Sequence, residues 1–473
     1  MRPLRVSTLS ATCARTAATG ARRRRRTAPS ICPRRDRFGH QTLAGPSTGE
    51  GSGLVLVVIS GHVSYVAPLR DLTAAPFLLQ TRLDNVLFAH DAWFHKGTDG
   101  RVFSSRGGWQ WERYLEFADS LTVASRMDAL PAQSLDKLED VTGEGVEFLD
   151  VPSLSGPLVR FTHRREARER LTAALLRADA LVARLPSEIG SMAVGVAERL
   201  RKPYAVEVVT CTWDALWHRG GLQGKLYAPE SWRSTRSIVR RAPFCLYVTG
   251  DFLQRRYPSH GRTAAISDVE LPPFDDAVLA RRLDAIRSHR PPFVIGTIAA
   301  LTVRFKGVQT ALRALGESRR DLPPFELQIV GSGDTRPWRE RAEREGVEDS
   351  TSFLGVLQRD RVLPWLDRVD LYIQPSFQEG LPRALIEAMS RGCPALGSTA
   401  GGIPELLGSE CLHRPGDAKT LGKLIRDAAS DSSWQEREAR RNFATARRYE
   451  RVTLAAERAR FWEEFVQYVL ARK

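Results

Sequence analysis

Short apolar runs alternate with stretches of helical period along most of this chain. The runs LVLVVIS (54–60), NVLFAH (85–90), SLTVASR (120–126), DALVARL (179–185), PYAVEVVT (203–210) and FCLYVTG (244–250) predict strands. REARERLTAALLRA (165–178) and SMAVGVAERLR (191–201), lying between them, predict helices. Alternation of this kind predicts parallel strands joined by crossover helices. RSHRPP at 287–292, charged and proline-marked, predicts a linker. Beyond it the pattern resumes with strands FVIGTIA (293–299), FELQIVG (325–331), TSFLG (351–355), LYIQP (371–375) and PALGS (394–398), and with helices over about 307–318 and 336–345. Each of these strands ends in residues that let a loop turn over the carboxyl edge of the sheet, where open α/β sheets bind ligands. The fold class predicted is α/β, two doubly wound Rossmann-like domains facing one another across a cleft. The segments expected are a disordered basic stretch (1–52), an N-terminal domain (53–290), a C-terminal domain (291–445) and a final helix (446–473) packing back toward the N-terminal domain.

Length agrees with two domains, since 473 residues exceed what one core usually organises. The net charge of +15 suggests a nucleic-acid partner until its distribution is read. Residues 1–50 hold eleven arginines against Asp36 and Glu50, so nine of the fifteen charges sit there. The rest of the chain is only mildly basic, and nucleic acid is not an expected partner. The basic stretch has the composition of a transit peptide, of a disordered arm, or of an over-extended reading frame. No apolar run approaches the roughly 20 residues of a membrane-spanning helix. The six cysteines are scattered without a CxxC pair, which predicts neither a zinc site nor a disulfide framework and suits a reducing cytoplasm.

One stretch carries candidate chemistry: QEGLPRALIEAMSRGCPALGSTAGGIPELLG, residues 378–408. A strand ending at Pro375 leads through Gly380 to Pro382, a residue suited to a first helical turn, and a helix over about 382–391 stops at Gly392. Its N-terminus, with N–H groups at Gly380 and Leu381, forms an anion site at the sheet edge. Glu379 would lie beside that site. Glu387 falls opposite the apolar arc, between Arg383 and Arg391, and either faces the cleft or forms a surface pair with one of those arginines.

This stretch resembles the signature of the retaining GT-B glycosyltransferases of glycosyltransferase family 4, E-G-x-P-x-x-x-x-E-A-M-x-x-G-x-P followed by a strand and G-G-x-x-E. Glu379, Gly380, Pro382, Glu387, Ala388, Met389, Gly392, Pro394, Gly401, Gly402 and Glu405 stand at the matching places. The likeness extends through RFKGVQTALRAL (304–315), IVGSG (329–333) and FLGVL (353–357). It implies a GT-B fold and transfer of a sugar from a nucleoside-diphosphate sugar to a glycan or lipid-linked acceptor, with retention of configuration, in polysaccharide biosynthesis. By the same resemblance Glu379 lies against the donor sugar and Glu387 holds the ribose hydroxyls, while the N–H groups of Gly380 and Leu381 meet the distal phosphate. Lys306 neutralises the diphosphate. Ala300 stands where the family's usual arginine aligns, so Arg304 is nominated as the second cation. Gly61, Gly355 and Val356 are further donor-side candidates. ARLPSEIG (183–190) and VEVV (206–209) resemble a subset from bacterial surface-polysaccharide clusters and nominate Arg184 and Glu207 on the acceptor side, with a buried ion pair or a strand-end surface residue as the alternatives. No cofactor and no metal are expected. The resemblance places the protein in the cytoplasm, with room for peripheral contact at the inner face of the membrane. The rival reading is a non-catalytic nucleotide-sugar-binding or assembly protein of the same fold.

Overall fold

The computed structural model describes residues 81–473 except 105–110, 131–134, 136–137, 155–156, 220 and 289–290. Before residue 81 it shows four strands paired as two antiparallel hairpins, Arg34–Arg35 with Gln41–Thr42 and Leu54–Ile59 with His62–Pro68. The strand predicted at 54–60 therefore exists, but in a hairpin of its own. Two residues separate it from the next apolar run, enough for a tight turn and far short of the dozen a parallel crossover requires. Apart from the strands Arg34–Arg35 and Gln41–Thr42, the stretch predicted as disordered (1–52) lies outside the described residues, as does Gly61.

The first parallel sheet starts instead at Leu83–Lys96. Its parallel strands run Arg262–Ala265, Phe244–Tyr247, Tyr204–Val208, Ala180–Leu185, Leu83–Lys96, Ala118–Ala129 and Val146–Asp150 from edge to edge. Numbered along the chain, that order is 7-6-5-4-1-2-3. The second sheet runs Thr351–Gly355, Phe325–Val330, Phe293–Ile298, Leu371–Gln374, Ala395–Ser398 and Leu412–His413, all parallel, in the order 3-2-1-4-5-6. Both are doubly wound, and in each the direction of winding reverses beside the first strand, leaving a crevice at the carboxyl edge. Ala180–Leu185 and Leu371–Gln374, next to those reversal points, are buried along their whole length, as strands covered by helices on both faces must be.

The helices cover the faces as their periods predict. Val308–Ser318 buries Ala311, Leu312 and Leu315 against the second sheet, and Arg383–Ser390 buries Leu385, Ile386 and Met389. Helix Asp276–Arg287 packs on this same half. The buried Arg282 guanidinium on it donates to the carbonyls of Val369, Leu366 and Arg391. The last helix, Arg451–Leu470, returns to the first sheet, where Phe461, Trp462 and Phe465 join Leu83, Val86 and Phe117 in one core.

Candidate active site

The carboxyl edges of both sheets border one cleft of about 980 Å³. Its C-terminal wall includes Arg359, Gln378, Gly380, Leu381, Arg383 and Glu387; its N-terminal wall includes His90, Asp91, Arg184, Ser187, Tyr227 and Asp268.

The C-terminal wall is built where strand Leu371–Gln374 ends. Gly307, with φ +80°, follows the turn Arg304–Lys306, and a Cβ there would sit 1.9 Å from the Pro375 carbonyl oxygen. Only glycine lets that turn press onto the strand end. The result is an ion pair: Lys306 Nζ lies 2.7 Å from Glu379 Oε1. The same oxygen accepts from Ser376 Oγ at 2.7 Å and Gln374 Nε2 at 3.0 Å. Gln374 is held in turn by the buried Tyr372 hydroxyl, which donates to its Oε1 at 3.0 Å. Burial pushes the Tyr372 phenol well above its ordinary range, so it remains a donor at all working pH values. Glu379 is 8% exposed, and its carboxylate is aimed before any ligand arrives.

Gly380 matters for a reason its helix-start position does not reveal. A Cβ there would lie 2.3 Å from the Val209 carbonyl oxygen, so this glycine lets the two halves approach. Among the described residues the N–H groups of Gly380 and Leu381 make no hydrogen bond, and both residues line the cleft. They precede helix Arg383–Ser390, whose N-terminal dipole favours negative charge. Glu387 is half-buried on the cleft wall. Arg391 turns from it to a bidentate pair with Asp367 at 2.7 and 2.8 Å. Burial holds the Glu387 carboxyl above its usual range, with Arg383 and then Arg359 pulling it part of the way back.

Arg304 is exposed in the turn before Lys306; like Lys306 and Glu379, which sit behind the wall next to Gln378 and Gly380, it is not among the residues lining the cleft. Gly355 adopts φ +68° at the end of its strand, and Val356 beyond it is 72% exposed.

On the N-terminal wall the parallel register sets Arg184 beside Glu207 on adjacent strands. Arg184 Nη1 lies 3.0 Å from Glu207 Oε2, and Nη2 lies 2.6 Å from Asp268 Oδ2. The Tyr114 hydroxyl donates to Glu207 at 2.9 Å. Arg184 and Glu207 thus form a buried ion pair, one of the two alternatives, rather than strand-end surface residues, and Arg184, Tyr114 and Asp268 also line the cleft. Burial and the Glu207 charge raise the Tyr114 phenol far above its usual range.

Sequence reasoning missed several groups. Asp91 caps helix Glu188–Leu200, accepting from the Glu188 N–H at 2.5 Å. Gln378 is buried, borders the cleft and has an Oε1 without a hydrogen-bond partner. Glu405, read only as a motif residue, accepts from the N–H groups of Gly250, Asp251 and Phe252 at 2.5, 3.2 and 2.7 Å, tying the second half to the first. Among the described residues, Glu410, Cys411 and Glu438 form a cluster of metal-ligand types, but it does not line the cleft and Arg441 lies 3.6 Å from the Glu438 carboxylate.

Two doubly wound sheets opening on one cleft define a class, the GT-B fold of glycosyltransferases. The structure of Anabaena Alr3699/HepE in complex with UDP-glucose superposes with a TM-score of 0.55 at 16% identity, covering 81% of this chain and 100% of that one. Residues 292–431 match the family described as glycosyl transferases group 1. Protein CapJ of Staphylococcus aureus is 29% identical over 376 residues, 79% of this chain and 93% of CapJ. The amylovoran biosynthesis glycosyltransferase AmsK of Erwinia amylovora is 33% identical over 147 residues, 29% of this chain and 36% of AmsK. The chain has the GT-B fold, and its second half carries a glycosyl transferases group 1 domain. Among the described residues no helix is long and apolar enough to cross a membrane.

Proposed function

We propose that this protein moves a sugar from a nucleoside-diphosphate sugar to a glycan or lipid-linked acceptor, with retention of configuration, in polysaccharide biosynthesis. The observation that carries the reading is the Lys306–Glu379 pair, held at the reversal point beside the open N–H groups of Gly380 and Leu381. An anionic group fits those donors, a sugar fits the Glu379 and Gln378 side, and ribose hydroxyls fit Glu387. AmsK and HepE support it through the polysaccharide and the UDP-glucose in their descriptions.

In this reading the C1–O bond to the distal phosphate breaks while the acceptor oxygen bonds C1 on the same face. The acceptor's proton passes to the departing phosphate oxygen. Lys306 and the helix N-terminus stabilise the charge that develops on the diphosphate, and no metal enters the step. The test is turnover across a nucleotide-sugar panel in excess chelator, with the product anomer assigned by NMR. Retained anomeric configuration and chelator resistance are expected. Donor binding without turnover for every member would favour a non-catalytic binding protein.

Arg304 is assigned the outer part of the clamp, swinging toward the diphosphate from an exposed, screened position. Arg304→Ala should therefore reduce turnover by no more than about tenfold, consistent with a screened surface charge. A larger loss in steady-state kinetics would make Arg304 an equal partner of Lys306.

Glu387→Gln should weaken donor binding by about 1.5–3 kcal/mol, the worth of a charge-assisted hydrogen bond. It should also raise the melting temperature at neutral pH. The raised carboxyl is neutral in both states at low pH. As pH climbs from its unfolded value through its higher folded value, the native state must ionise a buried group and loses stability. Donor affinity should rise through that same interval as the carboxylate forms. Calorimetric titration and thermal melts at several pH values check both effects, and unchanged affinity would place Glu387 outside the donor site.

A further inference from the structure

Three of the exposed large apolar side chains among the described residues gather on one helical hairpin, Thr212–Arg219 followed by Leu222–Arg241. Leu222 is 76% exposed, Leu226 74% and Trp217 41%. At 100° per residue Leu222, Leu226, Arg233 and Arg240 fall within an arc of roughly 40° on the longer helix. All four are exposed. The face is apolar at its N-terminal end and cationic at its C-terminal end. Lys225, also exposed, holds its ammonium 5.4 Å from the Trp217 ring. The one acid at an exposed position of this helix, Glu230, lines the cleft instead, on the adjacent face with Tyr227, Ser231 and Ser234.

We infer that this hairpin is a docking surface for an anionic lipid bilayer, lying in the interface plane with Trp217, Leu222 and Leu226 inserted. Charge complementarity chooses the occupant. Apolar side chains flanked by Lys225, Arg233 and Arg240 match a surface that is apolar beneath and negative at its headgroups. A tryptophan with a lysine against its ring suits the headgroup boundary. The inference rests on the lipid-linked acceptor of the preceding reading in one respect. The same helix lines the cleft with its neighbouring face, so an acceptor's head could enter while its lipid stays in the bilayer.

The test is sedimentation of the full chain with vesicles of phosphatidylcholine alone and with one part in three phosphatidylglycerol, for the native protein and a Leu222→Ser/Leu226→Ser variant. The arginine-rich N-terminal stretch is common to both proteins, and running the series at low and high salt screens its purely coulombic attraction. On anionic vesicles the variant should partition on the order of 10- to 100-fold less at either salt, since two leucines leave the interface. Equal partitioning of the two proteins overturns the inference. So does a loss of self-association in the variant, read by analytical ultracentrifugation, with vesicle binding unchanged, which would give the face to a second copy. Donor titration on the same samples separates this result from the fate of the transferase reading. Both leucines are solvent-exposed, and the variant should bind donor and melt as the native protein does.

Discussion

Replacing Lys306 by alanine is expected to lower turnover by on the order of 10²–10³-fold, the usual result of losing one preorganised electrostatic donor. The position explains the size. Gly307 locks the turn against Pro375, so the ammonium is fixed rather than borne on a mobile loop. Its partner Glu379 is almost fully buried and shares its Oε1 with Ser376 and Gln374, so two donors remain on the carboxylate when the lysine is gone. The fold should survive, and the deficit should fall on kcat more than on KM, because the charge Lys306 meets grows as the diphosphate departs. Steady-state kinetics with the donor at saturation read this directly. Turnover within twofold of native would remove Lys306 from the reaction.

The largest stability effect should come from the other wall. Arg184→Ala is expected to destabilise the protein by about 3–5 kcal/mol, the loss seen when one partner of a buried ion pair is removed. Glu207, 3% exposed, and Asp268 would each lose the guanidinium that bridges them. The paired change Arg184→Met/Glu207→Gln should recover much of this, since it removes both charges and leaves Tyr114 an acceptor. Denaturant unfolding of the two variants decides it. A single variant as stable as the native protein would show that solvent reaches the network freely.

The C-terminal half was legible because its chemistry is local in the chain. Glu379, Gly380, Pro382 and Glu387 follow one strand within a dozen residues, and helix periodicity alone predicted 336–345 as observed. The N-terminal wall was not legible in the same way. His90, Asp91, Tyr114, Arg184 and Asp268 meet only because strand order brings them together, and one sequence does not show which strands are neighbours. The pairing of Arg184 with Glu207 needed the parallel register. The first strand was placed too early because an apolar run looks alike in a hairpin and a parallel sheet. The role of Gly380 was half seen. Its neighbours in sequence suggested a helix start, while its close approach to Val209 belongs to the other half of the molecule.

The most direct test is a crystal structure of the protein grown with UDP. The ribose hydroxyls are expected on the Glu387 carboxylate and the distal phosphate on the N–H groups of Gly380 and Leu381, within reach of Lys306. A nucleotide seated instead on the N-terminal wall, against Asp91 and Ser187, would contradict it.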